Sequence, residues 1–87
     1  MEILNINPSC VSTVINDQTV ILNIDTGKYY ELNSTASIIW KMIDDGTPKD
    51  TIISKIQSDY SLSHSEASDE VKEFLEHCIN SGFLIAN

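Results

Sequence analysis

Hydrophobic and polar residues alternate along the first third of the chain with the period of β-strands. An uncharged, β-branched run from Cys10 to Ile15 precedes the polar pair Asn16-Asp17, and a second alternating run extends from Thr19 to Ile24. In that second run Val20, Leu22 and Ile24 share one face. A polar dipeptide between two such runs predicts two antiparallel strands joined by a tight two-residue turn.

The stretch from Asp25 to Asn33 predicts a second turn followed by a third strand. Gly27 supplies the positive φ that a short turn needs, and Lys28 to Leu32 then alternates as a strand. Because a helix start follows directly, a simple meander leaves this third strand at the edge of the sheet, with unpaired N–H and C=O groups. Such an edge is either protected against aggregation or used to bind an extended peptide, and we favour peptide binding.

Beyond the third strand, the apolar residues recur every three or four positions, which predicts three helices. The first begins with Ser34 as its N-cap, the second begins at Thr47-Pro48, and a capping box from Ser63 to Glu66 opens the third, which ends near Asn80. The residues expected to be buried are Ala36, Ile39, Trp40 and Ile43; Ile52, Ile53, Ile56 and Tyr60; and Ala67, Val71, Phe74, Leu75, Cys78 and Ile79.

The two ends of the chain give weaker patterns. The segment Met1 to Pro8 alternates weakly, so that either a frayed arm or a short extra strand fits it. The apolar tail Phe83-Leu84-Ile85 must be buried, and a short closing strand would bury it. Three strands followed by three helices nevertheless predict an α+β fold, with the helices covering one face of the sheet.

Length and charge narrow the function. The 87 residues predict a single domain over 1–87. Thirteen acidic residues against five basic ones give a net charge of −8, which disfavours binding to nucleic acid or to an anionic membrane. Neither a signal peptide nor a membrane-spanning stretch is recognisable, so we expect a cytoplasmic protein.

The sequence contains no recognisable catalytic or metal-binding constellation. Cys10, His64, His77 and Cys78 are the candidate zinc ligands, but no pair of them has the spacing of a zinc motif. A Cys–His nucleophile is disfavoured because Cys78 falls on the buried stripe of its helix. We therefore expect no metal, no cofactor and no enzymatic activity.

Taken together, the motifs resemble those of the PqqD-like family. The run VILNIDTGKYYELNSTASIIWKMI, the following DGTP, the S-x-x-E-A-x-x-E-V-K-E-F-L helix and the final SGFL carry this resemblance, which extends from about Val11 to Leu84. Members of the family recognise the leader peptides of ribosomally synthesised, post-translationally modified peptides. The resemblance implies a winged helix-turn-helix-like arrangement and a leader peptide that adds as a fourth strand beside the third.

The resemblance also implies which residues form the peptide site and which partners bind there. The groove would lie between the third strand and the last helix, and its candidate residues are Lys28, Tyr29, Tyr30, Glu31, Leu32, Asp69, Lys72, Glu73, Leu75 and Glu76. The partners would be the leader region of a precursor and a leader peptidase or other modifying enzyme, with a lasso-peptide cluster favoured over quinone-cofactor biosynthesis. A homodimer through a free edge and a winged-helix DNA-binding regulator are the open alternatives.

Overall fold

The computed structural model describes residues 4–86 and has an α+β fold, which confirms the predicted class. A three-stranded antiparallel sheet is followed by three helices, and a small two-stranded sheet joins the two ends of this region. The elements are β1 (Leu4–Ile6), β2 (Cys10–Ile15), β3 (Gln18–Asn23), β4 (Tyr29–Leu32), α1 (Ser34–Asp44), α2 (Lys49–Asp59), α3 (His64–Asn80) and β5 (Leu84–Ala86).

The weakly alternating first segment forms a strand in its described part. β1 pairs antiparallel with β5, in a register that places Ile6 opposite Leu84. Leu84 is buried and Ile6 is half-buried against the core. Thus the apolar tail is a closing strand, whereas residues 1–3 of the predicted segment lie outside the described residues.

The larger sheet is a meander with the order β2-β3-β4. Asn16 and Asp17 form its first turn with φ of 52° and 65°, the positive values that a type I′ hairpin requires at both central positions. The turn closes on the pair Ile15 and Gln18. Both outer strands, β2 and β4, pair on one side only within the described residues.

The apolar face of β3 that the sequence suggested is the outer face of the sheet. Leu22 and Ile24 are exposed there, whereas Ile21 is fully buried beneath the helices. Alternation identifies which residues share a face, but it does not identify the covered face when both faces carry apolar side chains. The outer face therefore remains substantially apolar.

The helix starts differ in part from the predicted ones. Asn33, rather than Ser34, is the N-cap of α1, because its Oδ1 accepts a hydrogen bond from the Ala36 N–H at 2.9 Å. Pro48 occupies the N-cap of α2 and provides no side-chain hydrogen bond. The predicted capping box of α3 is confirmed by reciprocal hydrogen bonds between Ser63 and Glu66.

The core lies between the inner face of the sheet and the three helices. Trp40 and Phe74 are buried as predicted, whereas Tyr60 is exposed at the end of α2 and Ile79 is half-buried. The buried apolar residues are Ile21, Leu32, Ala36, Ile39, Trp40, Ile43, Ile52, Ile53, Ile56, Ala67, Val71, Phe74, Leu75, Cys78, Phe83 and Leu84.

A buried amide network joins the sheet to the end of α3. The Gly82 carbonyl accepts one hydrogen bond from Asn7 Nδ2 and another from Asn23 Nδ2, both at 2.9 Å. Asn23 is only 2 % exposed, and its Oδ1 also accepts from the backbone N–H groups of Asp25 and Thr26. One side chain thus shapes the β3–β4 turn and attaches it to the C-terminal segment.

We predict that Asn23→Ala destabilises the fold by about 2 kcal/mol, because it removes three hydrogen bonds made by a side chain that is buried. Urea unfolding of the purified variant measures this loss. The matched control is Asn80→Ala, since Asn80 is exposed on the last turn of α3. Equal stability of the two variants would contradict a structural role for the network.

Candidate functional site

The outer edge of β4 presents free backbone hydrogen-bonding groups. The Asn23 N–H donates to the Lys28 carbonyl at 2.9 Å. Two positions further along the same antiparallel ladder, Ile21 lies opposite Tyr30. Hydrogen-bonded and non-hydrogen-bonded pairs alternate along such a ladder. The N–H and C=O groups of Tyr29 and Glu31 therefore point away from β3, toward the open edge.

A groove runs between this edge and α3. The side chains of Tyr30 and His77, whose ring centroids are 4.6 Å apart, divide the groove into two depressions. The first, of about 270 Å³, is lined by Tyr30, Asn33, Thr35, Ala36, Ile39, Glu70, Glu73, Phe74 and His77. The second, of about 480 Å³, is lined by Gly27, Lys28, Tyr29, Tyr30, His77, Ser81 and Phe83.

Aromatic packing fixes the dividing side chain. The Tyr30 ring is stacked with those of Phe74 and Phe83, at centroid distances of 6.4 and 6.5 Å. Phe74 is a core residue of α3 and Phe83 follows the end of that helix. The position of Tyr30 therefore depends on the core, and the width of the groove is set by the packing of α3 against the sheet.

The two depressions differ in charge. Glu70 and Glu73 line the first, next to the end of β4. Lys28 lines the second, next to the β3–β4 turn. An extended chain lying along the groove would thus meet negative charge at one end and a positive charge at the other.

The strand residues proposed from the sequence all lie on or beside the free edge. Lys28, Tyr29 and Tyr30 all line the second depression. Tyr29 and Glu31 lie on the outer face of the sheet, opposite Leu22 and Val20, and their backbone groups point from its edge. Leu32 is 1 % exposed, so its side chain belongs to the core.

The helix residues proposed from the sequence are divided between several faces of α3. Glu73 lines the first depression, and Leu75 is buried in the core. Asp69, Lys72 and Glu76 line neither depression, and Lys72 Nζ lies 4.0 Å from Glu76 Oε1 on exposed helix surface. The structure therefore brings only one of the five proposed helix residues to the groove.

Sequence reasoning missed the helix face that does form the wall. Glu70, Phe74 and His77 lie with Glu73 at intervals of three and four residues, and all four line the first depression. This spacing was the available signal, because residues at such intervals share a face of a helix. Asn33 and Thr35, at the start of α1, complete the groove where β4 ends.

Burial keeps both cysteines in the thiol form. Burial raises the pKa of Cys78 to about 12, with a smaller contribution from the neighbouring Cys10. Burial also raises the pKa of Cys10, followed by the effect of Asp25. Both thiols are therefore protonated at neutral pH. Residues 4–86 contain no group of three or more His, Cys, Asp or Glu side chains placed to hold a metal ion.

Among the helices described, none has both the length and the apolar composition that crossing a membrane requires.

The family of the chain follows from a match that covers most of its length. Residues 18–84, from the start of β3 to the start of β5, match the family model described as coenzyme PQQ synthesis protein D (PqqD). The chain belongs to the PqqD family. For this PqqD-family chain no match was found among curated protein sequences.

Two solved structures share the fold of this PqqD-family chain. The first is TbiB1 in complex with the TbiA(beta) leader peptide, which is 29% identical and has a TM-score of 0.86; the match covers 92% of this chain and 93% of TbiB1. The second is a lasso peptide synthetase B1 complexed with the leader peptide, which is 19% identical and has a TM-score of 0.89, with 95% and 98% coverage. At that lower identity the second structure supports the fold alone.

We predict that Tyr30→Ala lowers the free energy of unfolding by about 2 kcal/mol, since it removes a half-buried ring packed against the core. Tyr29→Ala is the matched control, because Tyr29 is 66 % exposed on the same strand. Thermal unfolding of both variants tests the difference. If Tyr29→Ala were the more destabilising change, the assignment of the two faces of β4 would be wrong.

Proposed function

We propose that this protein is a non-catalytic adaptor that binds the leader peptide of a ribosomally synthesised precursor and delivers it to a modifying or leader-cleaving enzyme. The leader adds to the sheet as a fourth strand beside β4. A lasso-peptide precursor is the favoured cargo. The observation that carries the proposal is the free edge of β4 lying beside an open groove walled by α3.

The similarity to TbiB1 supports this choice of ligand. TbiB1 binds the TbiA(beta) leader peptide, and the present chain is similar to it over 92% of its length. The likeness has a TM-score of 0.86, so it extends to nearly the whole fold in which the groove is built. A leader peptide therefore fits the fold better than an unrelated extended ligand does.

The bound peptide would obtain its affinity and its specificity from different groups. The outward N–H and C=O groups of Tyr29 and Glu31 hydrogen-bond its backbone, which fixes the register without reading the sequence. Alternate side chains of the peptide then enter the two depressions on either side of Tyr30. Selectivity thus arises in the groove, and affinity arises largely at the edge.

Delivery requires a surface that stays accessible when the peptide is bound. Val11, Leu22 and Tyr29 lie side by side on the outer face of the sheet, and all three are exposed. A strand added at the β4 edge extends the sheet in its own plane and leaves this face uncovered. Because an exposed apolar patch is typical of protein contact surfaces, we assign the outer face to the enzyme that processes the leader.

A DNA-binding role is not favoured by the charge of α3. In a winged-helix regulator a helix of this kind contacts DNA and carries Arg or Lys. Here its exposed side chains include Asp69, Glu70, Glu73 and Glu76, and Lys72 is already near Glu76. A gel-shift assay with random duplex DNA is expected to show no binding.

We predict that the amides of Tyr29 and Glu31 are protected when the leader peptide binds. Their hydrogen exchange should slow by at least about tenfold with saturating peptide, since each N–H gains a partner. The amides of Tyr30 and Leu32, which already face β3, are the internal reference and should change less.

The probe is a synthetic leader peptide of a lasso-peptide precursor, chosen for binding in a titration, and exchange is read residue by residue by NMR. If the peptide binds and the Tyr29 and Glu31 amides exchange as before, strand addition at β4 is wrong. If exchange slows instead along β2, the peptide occupies the opposite edge.

We also predict a charge effect that distinguishes the groove from the rest of the surface. Lys28→Glu should weaken leader binding, because Lys28 lines the second depression, whereas the control Lys72→Glu lies outside both depressions. Neutralising a rim charge of this kind changes affinity by at most about fivefold. Reversal of the charge should therefore weaken binding by more than this, and the loss of affinity should become smaller in high salt, which screens the charges. Titrations of labelled leader measure both variants, and equal losses would indicate that only net charge matters.

A further inference from the structure

The sheet has a second free edge, along β2, which the proposed peptide site does not use. Within the described residues β2 pairs only with β3. Its hairpin closes on Ile15 and Gln18, and alternation from that pair turns the N–H and C=O groups of Ser12 and Val14 outward. No hydrogen bond within residues 4–86 involves those outward groups.

Nothing in the sequence of β2 protects this edge against pairing. Natural edge strands usually carry charged residues, proline or a bulge, which prevent association between sheets. The strand CVSTVI has no charged residue and no proline, and its register with β3 is continuous from Cys10 to Ile15. Val11, Val14 and Ile15 are all at least half exposed.

A shallow apolar groove follows the inner side of this edge. It has a volume of about 360 Å³ and lies between β2 and α1, where Val14, Ile38 and Trp40 contribute to its walls. The Trp40 indole Nε1–H is buried without a hydrogen-bond partner. Val14 is 66 % exposed above the groove. A second strand laid along β2 would cover the exposed Val14 side chain.

The charge near the β2 edge favours a second copy of this chain as the partner that binds there. The protein as a whole has a net charge of −8, so two copies repel each other over most of their surfaces. The β2 edge is the exception, because the strand is uncharged and the groove beside it carries one charge of each sign, Lys41 and Asp44. A neutral, apolar edge is complementary to itself and offers nothing to a basic partner.

We infer that β2 pairs with β2 of a second copy across a two-fold axis, giving a continuous six-stranded sheet. A register in which Ser12 lies opposite Val14 of the second copy uses every outward group of both residues. A register in which Ser12 faces Ser12 would need the Cys10 N–H, which already donates to the Asn7 carbonyl at 2.8 Å. In that register Thr13 faces Thr13, and Val11 lies beside Ile15 of the second copy on the outer face. The Val14 side chains enter the grooves along α1.

This dimer leaves the β4 edge of each copy free at the two ends of the sheet. Dimerisation and peptide binding therefore use opposite edges, and neither depends on the other. The outer apolar faces of the two copies become one continuous surface. Each dimer carries two peptide sites. Because these sites lie away from the interface, loss of the dimer and loss of peptide binding can be measured separately.

The test is sedimentation velocity of the full chain from about 1 to about 500 µM, a range chosen because a small interface gives weak association. Val14→Lys places a charge at the interface and should raise the dimer dissociation constant at least about tenfold. Ile24→Lys is the matched control, because Ile24 is also exposed and apolar, at 63 %, but lies off the β2 edge. It should dimerise like the wild type.

The register is tested by Thr13→Cys. Facing residues of a non-hydrogen-bonded pair have Cα atoms about 4.5 Å apart, which is within disulfide range. Mild oxidation should therefore give a covalent dimer, whereas the control Thr26→Cys, in the exposed β3–β4 turn, should give none above the background of the native cysteines. A wild type that is monomeric throughout the concentration range overturns the inference. So does a dimer that is unaffected by Val14→Lys or is dissociated by leader peptide.

Discussion

The Gly82 carbonyl is the point at which the separate parts of this fold are joined. It accepts hydrogen bonds from Asn7, between β1 and β2, and from Asn23, at the end of β3. Without these bonds the buried Asn23 amide would lack a partner, which costs more than a bond itself contributes. Gly82 also has a φ of +82°, and an added Cβ would lie 3.2 Å from Asn23 Nδ2. Backbone conformation and side-chain network therefore require glycine here.

The consequence of this junction for function is the fixed separation between β4 and α3. Asn23 shapes the turn that leads into β4, and Gly82 directly follows the end of α3. The groove between them therefore exists before any ligand arrives, which reduces the ordering that binding requires of the protein. The sheet is also asymmetric. Its β4 edge faces a groove with acidic side chains, whereas its β2 edge is uncharged and borders α1.

The fold was largely predictable because its local signals agree with one another. The turn dipeptide Asn16-Asp17, the capping box at Ser63 and the helical spacing around Trp40 all correspond to observed elements. The covered face of β3 was not predictable, since apolar residues occupy both faces and only the helices decide between them. The free edge of β4 was predictable from the order of the strands and the helix start that follows, whereas the face of α3 beside it was not. Which stripe of a helix faces a strand depends on tertiary packing, so His77 was missed, and Leu75, which the sequence placed both in the core and in the groove, belongs to the core.

The central claim is that a leader peptide becomes the fourth strand of this sheet. Scalar couplings across hydrogen bonds, measured by NMR on a complex of labelled protein and labelled leader peptide, test it most directly. We expect couplings from the Tyr29 and Glu31 amide nitrogens to carbonyl carbons of the peptide, because these groups point away from β3. A saturated complex in which neither nitrogen couples to the peptide would contradict strand addition at β4.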